Sequence, residues 1–566
     1  MAQSNLFPDI VASAALNHYF EILPKKGKPT PGKEWSVYAA IIATRSSTSS
    51  PKHQSTSSAA VLGNDAWVVS CATGSKCTSI PASFKSTLSN IEVPQCMNDA
   101  ASRCTRCCQE QIKGFVLHDS HAEILARRGL IRTLWKEIHD DLDGEEGEPR
   151  NGQIRSNCLL QRITKTSGGK STDLCYELKT NIQLHLYISD SPCGDATIYD
   201  ILSDYGKYLS EGGNVNFTGA KIIVPSECSK KRKAFESSNL TFCGNVKSSK
   251  EVDKREMSFI ARERLQITSA LRLKSGRSNL PAHMRCSSMS CSDKLCKWSI
   301  LGLQGSGFLS CLLKNPIRLT SIVVSKDPRT DATMIGKQAR SSSQLGALER
   351  ALVERANKAM KILPNNLKSS LSFCMPKVYL TDIMFPQGKA ASESDRRNRT
   401  AESLRKKQKS SDEIVTTQER KNKQHIPPIG ISINWQICDK EKSFGRHSNV
   451  EQTVGARGVK QGKKLKKSED LRKNISNLSR WSLFQDSLKC MVILRDKEIS
   501  LDEDSMQHLN EFVTRYQSGT GSYQMAKKIL SDKRLKLVKE MIFSDPASPL
   551  SLWVNSSKDN DFKCLR

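Results

Sequence analysis

The chain has 566 residues, with 87 lysines and arginines against 58 acidic residues, which gives a formal charge of +29 at pH 7. No stretch approaches the roughly 20 apolar residues that a membrane-spanning helix needs, and acids at Asp9 and Glu21 argue against a secretory signal. The composition therefore excludes a membrane-spanning protein, and the basic excess favours a polyanionic partner such as nucleic acid, although solvated basic loops would account for part of the charge.

The cysteine content bears on the compartment. The chain contains 19 cysteines, an odd number. Without a secretory signal, this indicates an intracellular protein with free thiols, and with a metal site rather than a disulfide framework. A basic run at 230–233 has the composition of a nuclear import signal, but such runs are also common in solvated loops. We therefore expect a location in the nucleus, the cytoplasm or both.

The predicted elements alternate along the chain between helices and strands. Apolar residues recur at helical spacing in four segments, at 10–23, 120–138, 291–313 and 525–542. Apolar runs of strand length occupy four others, at 35–44, 67–71, 182–189 and 430–435. This mixture predicts an α/β fold in which helices flank a mixed sheet.

Polar and basic segments interrupt these elements at 78–117, 226–257, 389–423 and 440–473. Their composition is typical of disordered insertions or linkers, and we expect mobile loops there. The first segment carries Cys96, Cys104, Cys107 and Cys108. A separate zinc knuckle stays open for these cysteines, but no further ligand follows at the usual spacing, so free thiols are the preferred interpretation.

Two motifs carry the chemistry. His121 and Glu123 form a His-x-Glu motif at the head of a predicted helix, and Pro192-Cys193 follows a predicted strand. Together these motifs are the signature of zinc-dependent nucleobase deaminases. Imidazole and thiolate suit zinc, whose catalytic sites use three protein ligands and leave a fourth position for water. We expect His121 and Cys193 to bind zinc, and Glu123 to shuttle protons between water and the base.

The third zinc ligand must come from a distant segment. In cytidine deaminases it lies three residues after the first cysteine, but that position is Ala196 here. Cys291, at the start of another predicted helix, is the candidate. All three ligands would then lie near helix N-termini, whose positive ends favour thiolate and neutral imidazole. The side chains expected to cap these helices are Asp119 or Ser120, Ser191, and Ser292 or Asp293.

Around these residues the sequence resembles the RNA adenosine deaminase family. The segments that carry the resemblance are 23–35, 69–77, 118–128, 191–196 and 288–305, with weaker ones at 430–435, near Arg480 and at 523–527. The resemblance implies one cytidine-deaminase-like domain over residues 1–566, with its core from about residue 20. It also implies hydrolytic conversion of adenosine to inosine, with zinc bound by His121, Cys193 and Cys291.

By the same resemblance, the domain holds a buried inositol hexakisphosphate. The residues that match contact positions in relatives are Arg127, Arg128, Ser288, Lys294, Lys297, Ser306, Arg480, Tyr523, Lys527 and Trp553. Asp119, Lys294 and Gln304 would connect this ligand to the zinc site through hydrogen bonds. Burying several unpaired cations is very costly, and six phosphate groups would supply the counter-charge. The alternative is that Arg127 and Arg128 face solvent on their helix.

The resemblance favours tRNA as the substrate, with the adenosine 3′ of the anticodon of alanine tRNA (position 37) as the target. Editing enzymes of double-stranded RNA carry separate RNA-binding domains, and we expect none here because the resemblance begins by residue 23. Lys76 is the candidate RNA contact at the rim of the site. An editing deaminase of structured or double-stranded mRNA and a non-catalytic RNA-binding relative stay as alternatives, and we expect a monomer.

Overall fold

The structure of the protein is a computed structural model. It describes residues 6–46, 65–78, 114–144, 157–166, 172–200, 218–223, 267–274, 286, 288–330, 343–408, 426–437, 449–462, 474–499, 501 and 503–554. The predicted insertion at 226–257 lies outside the described residues, as do most of the insertion at 78–117 and its four cysteines.

The described strands and helices follow one another in a mixed order. The strands are β1 (Tyr38–Arg45), β2 (Ala66–Thr73), β3 (Ser75–Cys77), β4 (Asp119–His121), β5 (Leu160–Thr166), β6 (Thr172–Leu178), β7 (Ile182–Ile188), β8 (Ala220–Ile222), β9 (Arg272–Lys274), β10 (Ser321–Ser325), β11 (Lys377–Thr381), β12 (Ile431–Gln436), β13 (Val450–Val454) and β14 (Val459–Lys460). The helices are α1 (Leu6–Glu21), α2 (Ala122–Asp143), α3 (Cys291–Leu301), α4 (Gln344–Glu349), α5 (Arg355–Lys361), α6 (Asn365–Ser370), α7 (Lys389–Gln408), α8 (Arg480–Asp496), α9 (Glu503–Gln517), α10 (Tyr523–Ile529) and α11 (Lys533–Ser544). Among the described helices, none combines the length and the apolar character that crossing a bilayer requires.

Eight strands form one mixed sheet, in the order β11-β10-β7-β1-β2-β12-β13-β14. In its middle, β1 pairs antiparallel with β2 and β7, whereas β7, β10 and β11 run parallel to one another. Residues of β1 are buried on both faces, which explains why the strand is a continuous apolar run rather than an alternating pattern. The mixed sheet with its flanking helices confirms the predicted α/β class.

Alternate residues of β1 pack into two hydrophobic cores. Ile41 belongs to the larger core together with Leu134 of α2, and Ile42 belongs to a smaller core together with Val11 of α1. Because α2 packs against β1, β2 and β12, its first turn is fixed beside the short strands β3 and β4. The predicted zinc ligand His121 lies at this junction.

Two predicted helices have different bounds from those expected. The helix predicted over 291–313 ends at Leu301, because Gly302 adopts a φ of 81°. The helix predicted over 525–542 is two helices, α10 and α11. Asp532 caps the second by accepting hydrogen bonds from the backbone N–H groups of Arg534 and Leu535.

Two segments predicted as mobile loops contain regular structure. The segment 389–423 begins with α7, and the segment 440–473 contains β13 and β14. The loop prediction was wrong for these residues because tertiary contacts outweigh their polar composition. The hydroxyl of Ser392 in α7 donates to Glu34 O at 3.0 Å, and β13 pairs with β12 along its whole length.

Candidate active site

Three of the predicted site residues meet at one point. His121 ends β4 and is the N-cap of α2, Cys193 follows β7 in a loop, and Cys291 is the first residue of α3. Their ligand atoms all lie within 4.8 Å of one another. One imidazole and two thiols at this spacing are the donor set of a catalytic zinc site, so these residues fit the metal.

Backbone contacts fix the position of His121. Pairing of β3 with β4 places Ser75 opposite His121, and Ala122 N donates to Gly74 O at 3.0 Å. Gly74 has a φ of 143°, and a Cβ at this residue would lie 2.1 Å from Ser120 O. Only glycine therefore permits this close approach of the two segments.

The two cysteine segments are bound directly to each other. Ser292 N donates to Cys193 O at 3.0 Å, and the Ser292 hydroxyl donates to the same oxygen at 2.9 Å. Hydrogen bonding with Cys291 and the nearby Lys274 ammonium hold the pKa of the Cys193 thiol well below its ordinary value, although burial opposes this. The site thus favours a thiolate, which is the form that binds metal.

The helix termini at the site differ in part from those predicted. Ser290 caps α3 by accepting a hydrogen bond from Asp293 N, and α2 begins at His121 without a side-chain cap. The residues predicted as caps, Asp119, Ser120, Ser191, Ser292 and Asp293, cap no described helix. Cys193 does not open an α-helix, because Gly194 adopts a φ of 114° and only a short 3-10 turn, Asp195–Thr197, follows.

Glu123 lies in the first turn of α2 and is 2% exposed. It follows the ligand candidate His121 by two residues, and its charge adds to the effect of burial and of the neighbouring Cys193 in raising the pKa of Cys291. Among the described residues, Glu123 belongs to neither of the two groups whose spacing could hold a metal ion. A buried carboxylate next to the ligands, but not among them, suits proton transfer.

Lys274 connects the ligand cluster to Asp119 and was missed by the sequence reasoning. Its Nζ donates to Cys291 Sγ at 2.8 Å and to the two carboxylate oxygens of Asp119 at 3.0 and 2.8 Å. Burial would raise the pKa of Asp119, but Lys274 and Lys294 hold it well below its usual value. No motif marks Lys274, because it lies in the three-residue strand β9, which pairs with β8 and bridges to Met289.

Asp119 extends this connection toward a cavity. Lys294 Nζ donates to Asp119 Oδ2 and to Ser288 Oγ, both at 2.5 Å, and Ser288 Oγ donates to Asp119 Oδ2 at 2.8 Å. The structure therefore joins Asp119 and Lys294, as the resemblance implied. Gln304, the third expected member of the relay, instead bonds two backbone groups, at 2.9 and 3.0 Å.

A cavity of about 440 Å³ lies at the end of this connection. Every residue expected to bind inositol hexakisphosphate lines it, namely Arg127, Arg128, Ser288, Lys294, Lys297, Ser306, Arg480, Tyr523, Lys527 and Trp553. Arg127 and Arg128 thus line the cavity rather than only facing outward from their helix. Lys539 of α11 also lines it and was not predicted.

The cavity is strongly positive. Asp119 is the only acid among the described residues that line it, whereas Arg127, Arg128, Lys294, Lys297, Arg480, Lys527 and Lys539 are basic. Burial and the charge of Arg128 lower the pKa of Arg127 to about 9, and burial and Arg480 lower that of Arg128 to about 10. Burial and Arg127 also hold the pKa of Lys297 well below its ordinary value. An anionic ligand relieves such repulsion, so these residues fit a polyanion.

Lys76, the candidate RNA contact, lies one residue from the pair that Ser75 forms with the candidate ligand His121. In β3 it pairs with Ser120, and its neighbour Ser75 pairs with His121. The side chain is half-buried and passes close to Gly455, which lies in the turn between β13 and β14. This position puts a basic residue at the edge of the site, and its contact with RNA stays a prediction.

An α/β fold in which a His-x-Glu motif and two cysteines meet at one point is the arrangement of the nucleobase deaminase class. The sequence profile of the adenosine-deaminase (editase) domain matches residues 100–537, and the chain belongs to this family. The chain is similar to the human tRNA-specific adenosine deaminase 1, with 23% identity over 585 residues that cover 92% of this chain and 95% of the human protein.

Two further relatives match over shorter regions. The tRNA-specific adenosine deaminase 1 of Drosophila melanogaster is 26% identical over 340 residues, which cover 59% of this chain and 56% of the fly protein. The mouse double-stranded RNA-specific editase B2 is 29% identical over 215 residues, which cover 38% of this chain and 22% of the mouse protein. The similarity thus reaches both kinds of RNA deaminase, and among these three relatives it covers more of this chain in the human tRNA enzyme than in the mouse editase.

Proposed function

We propose that this chain is a zinc-dependent adenosine deaminase that converts adenosine to inosine in tRNA. The observation that carries the proposal is the convergence of His121, Cys193 and Cys291 beside the buried carboxylate of Glu123. The preference for tRNA is supported by the similarity to the human tRNA enzyme over 92% of this chain, against 38% for the mouse editase. The target is the adenosine next to the anticodon of alanine tRNA, by family resemblance alone.

The reaction consumes adenosine and water and releases inosine and ammonia. When bound by His121, Cys193 and Cys291, zinc supplies a Lewis acid that lowers the pKa of water. Glu123 accepts one proton from water and delivers it to the ring nitrogen as the C–O bond forms. It then takes the second proton of that water from the new C6 hydroxyl and delivers it to the amine, which leaves as ammonia while the C6–N bond breaks and the C6 carbonyl forms. Lys274 holds Cys291 through its 2.8 Å hydrogen bond to Sγ, and its ammonium charge stabilises a thiolate there. The adenosine must leave its base stack to reach the buried Glu123 and the proposed zinc ligands.

The proposal includes inositol hexakisphosphate as the occupant of the cavity. The seven basic side chains and Tyr523 would hold it, and the ligand would act in folding rather than in the chemical step. Asp119 and Lys274 would connect its binding site to Cys291, because each is hydrogen-bonded to the next.

We expect the Cys291→Ala variant to lose most of its bound zinc. Removing one of three ligands leaves a donor set that is incomplete for catalytic zinc. Metal analysis of the purified variant measures this loss. Cys296→Ala is the matched control, because Cys296 is a buried cysteine of the same helix that lies outside the ligand cluster. A Cys291→Ala protein with the zinc content of the wild type would remove this residue from the metal site.

We expect Lys76→Ala to weaken RNA binding without changing the zinc content. A lysine that contacts a phosphate contributes through counterion release, so the slope of log affinity against log salt should fall by about 1. Binding of labelled tRNA at several salt concentrations measures the slope. Lys536→Ala, at an exposed position on α11, is the control with the same charge change. An unchanged slope would show that Lys76 does not contact the RNA.

Substrate preference separates the two kinds of RNA deaminase. The purified protein is incubated with alanine tRNA transcripts and, in parallel, with duplex RNA that contains adenosines, and inosine is then measured by sequencing. The proposal predicts inosine next to the anticodon in the tRNA. Activity on duplexes alone would instead support an mRNA-editing enzyme, and absence of inosine in every RNA despite bound zinc would support the non-catalytic relative.

A further inference from the structure

The two cysteines of the proposed zinc site are each followed, two residues later, by an aspartate. Asp195 follows Cys193 and Asp293 follows Cys291, and both aspartates are fully buried. Neither is within the group of residues that could bind the metal. Two buried carboxylates this close to two ligands need partners, because an uncompensated buried charge is very costly.

Arg355 lies between these two aspartates. Its Nη1 donates to Asp293 Oδ1 at 2.8 Å, and its Nε lies 4.0 Å from Asp195 Oδ2. The side chain is 1% exposed, and its Nε also donates to Ala351 O at 3.0 Å, which fixes the direction of the guanidinium. One side chain from outside the site thus bridges the segments that carry Cys193 and Cys291.

Arg350 adds a second contact on the Cys193 side. Its Nε lies 3.4 Å from Asp195 Oδ2, and its Nη2 donates to Asp195 O at 3.1 Å and to Ile198 O at 3.0 Å. A turn of π-helix, Arg350–Glu354, explains why both arginines reach the same place. The N–H of Arg355 donates to Arg350 O, a bond across five residues that brings the two side chains to the same face.

Asp293, in the segment that carries Cys291, has further hydrogen-bond partners. Asp293 Oδ2 accepts hydrogen bonds from Arg272 N at 2.9 Å and from Ser290 Oγ at 2.7 Å. Arg272 is two residues from Lys274, whose ammonium binds Cys291 Sγ at 2.8 Å. The Asp293 carboxylate is therefore held from two directions, and Arg355 is the group that ties it to the other cysteine segment.

We propose that Arg355 is a positioning residue that holds the Cys193 and Cys291 segments at the spacing required by one metal ion. The inference rests on the proposed zinc site. Arg355 acts through the two aspartates and touches neither ligand. Its planar fork can meet two carboxylates in fixed directions, which a lysine cannot do, so Arg355→Lys keeps the charge but loses the bridge. Groups that orient metal ligands typically contribute 10–100-fold in metal affinity.

The test compares the zinc dissociation rates of full-length wild-type, Arg355→Lys and Arg132→Lys proteins. Arg132 forms another largely buried ion pair, 3.5 Å from Asp486, which touches neither cysteine segment. Each zinc-loaded protein is mixed with a chelating dye, and its thermal unfolding is recorded separately. We expect Arg355→Lys to release zinc about tenfold faster than the wild type. We expect Arg132→Lys to release zinc at the wild-type rate, even if its unfolding temperature falls as much.

Cobalt(II) substitution gives a second measurement of the same geometry. The visible absorption of cobalt bound to one nitrogen and two sulfurs reports its coordination, and Arg355→Lys should change this spectrum while Arg132→Lys should not. Wild-type zinc release and an unchanged cobalt spectrum in folded Arg355→Lys would overturn the inference, and so would equal effects of both variants.

If Arg355→Lys does not fold, a second variant, Arg350→Lys, tests the inference instead. Arg350→Lys alters the contacts with Asp195 and Ile198 of the Cys193 segment from a more exposed position, and it should also release zinc faster than the wild type. A wild-type rate for this variant would contradict the bridge. A wild-type protein that holds no zinc would overturn the proposed function itself, which is a different result from zinc-loaded variants that behave like the wild type.

Discussion

The Glu123→Gln variant should keep its fold and its zinc and lose inosine formation by at least about 10²–10⁴-fold, which is the usual contribution of a general acid–base group. Glutamine has nearly the size of glutamate, so the buried position next to the ligand cluster stays filled. It cannot accept and return a proton, however, and only the proton relay is removed. Zinc content, circular dichroism and inosine formation on tRNA are measured on the same preparation.

The matched control is Glu137→Gln, the same change on the same helix. Glu137 accepts hydrogen bonds from the backbone N–H groups of Leu159 and Leu160, far along α2 from His121. This variant should keep most of the deaminase activity. Near-wild-type inosine formation by Glu123→Gln would show that another group transfers the proton, and a loss of zinc from Glu123→Gln would make Glu123 a ligand instead.

The Lys527→Ala variant should accumulate as less soluble protein and carry less bound phosphate than the wild type. Lys527 lines the positive cavity, and a charged hydrogen bond to a buried anion contributes about 2 kcal/mol. Because the ligand binds only the folded chain, its loss lowers the free energy of unfolding. Soluble yield, phosphate content after acid digestion and tRNA affinity are the three measurements.

Lys528→Ala is the control for this prediction. Lys528 is the next residue of α10 and is exposed, so the change in net charge is the same and the cavity is untouched. We expect it to have wild-type yield and phosphate content. A Lys527→Ala protein with normal yield and a selective loss of tRNA affinity would place Lys527 on the RNA-binding surface rather than against a buried ligand.

Two of the three proposed metal ligands could be predicted from sequence because each belongs to a local pattern. His121 and Glu123 are two residues apart, and Cys193 follows a proline at the end of a strand. Cys291 had no such pair and was found from the requirement for a third ligand. Strand β4, the loop after β7 and the start of α3 meet in the fold, and the ligand atoms of the three residues lie within 4.8 Å of one another.

Other parts of the site depend on tertiary contacts that no local pattern reveals. Lys274 lies in a three-residue strand and acts only because β9 passes beside Asp119 and Cys291. Arg355 is one of many arginines in the chain, and its role follows from a π-helical turn that periodicity does not predict. At the place where a helix was expected after Cys193, the described residues form a 3-10 turn, Asp195–Thr197, because the positive φ of Gly194 turns the backbone away.

The cavity shows a third case, in which the resemblance named residues that composition could not single out and that the structure places around one space. Arg127 lies far from Arg480 and Lys527 in the sequence, yet all three side chains line the same cavity. Basic residues usually face water, so each one alone indicates a solvated surface. Their convergence becomes visible only when helices α2, α8 and α10 are packed. Each of these buried cations then needs an anion to offset its charge.

The central claim is that three distant side chains form one zinc site, and metal analysis of the full-length wild-type protein beside Cys291→Ala tests it most directly. The prediction is about one zinc ion per wild-type chain, with a large loss in the variant and inosine formation lost in parallel. A wild-type protein that forms inosine in tRNA without bound zinc, or a Cys291→Ala protein that keeps both zinc and activity, would contradict the claim.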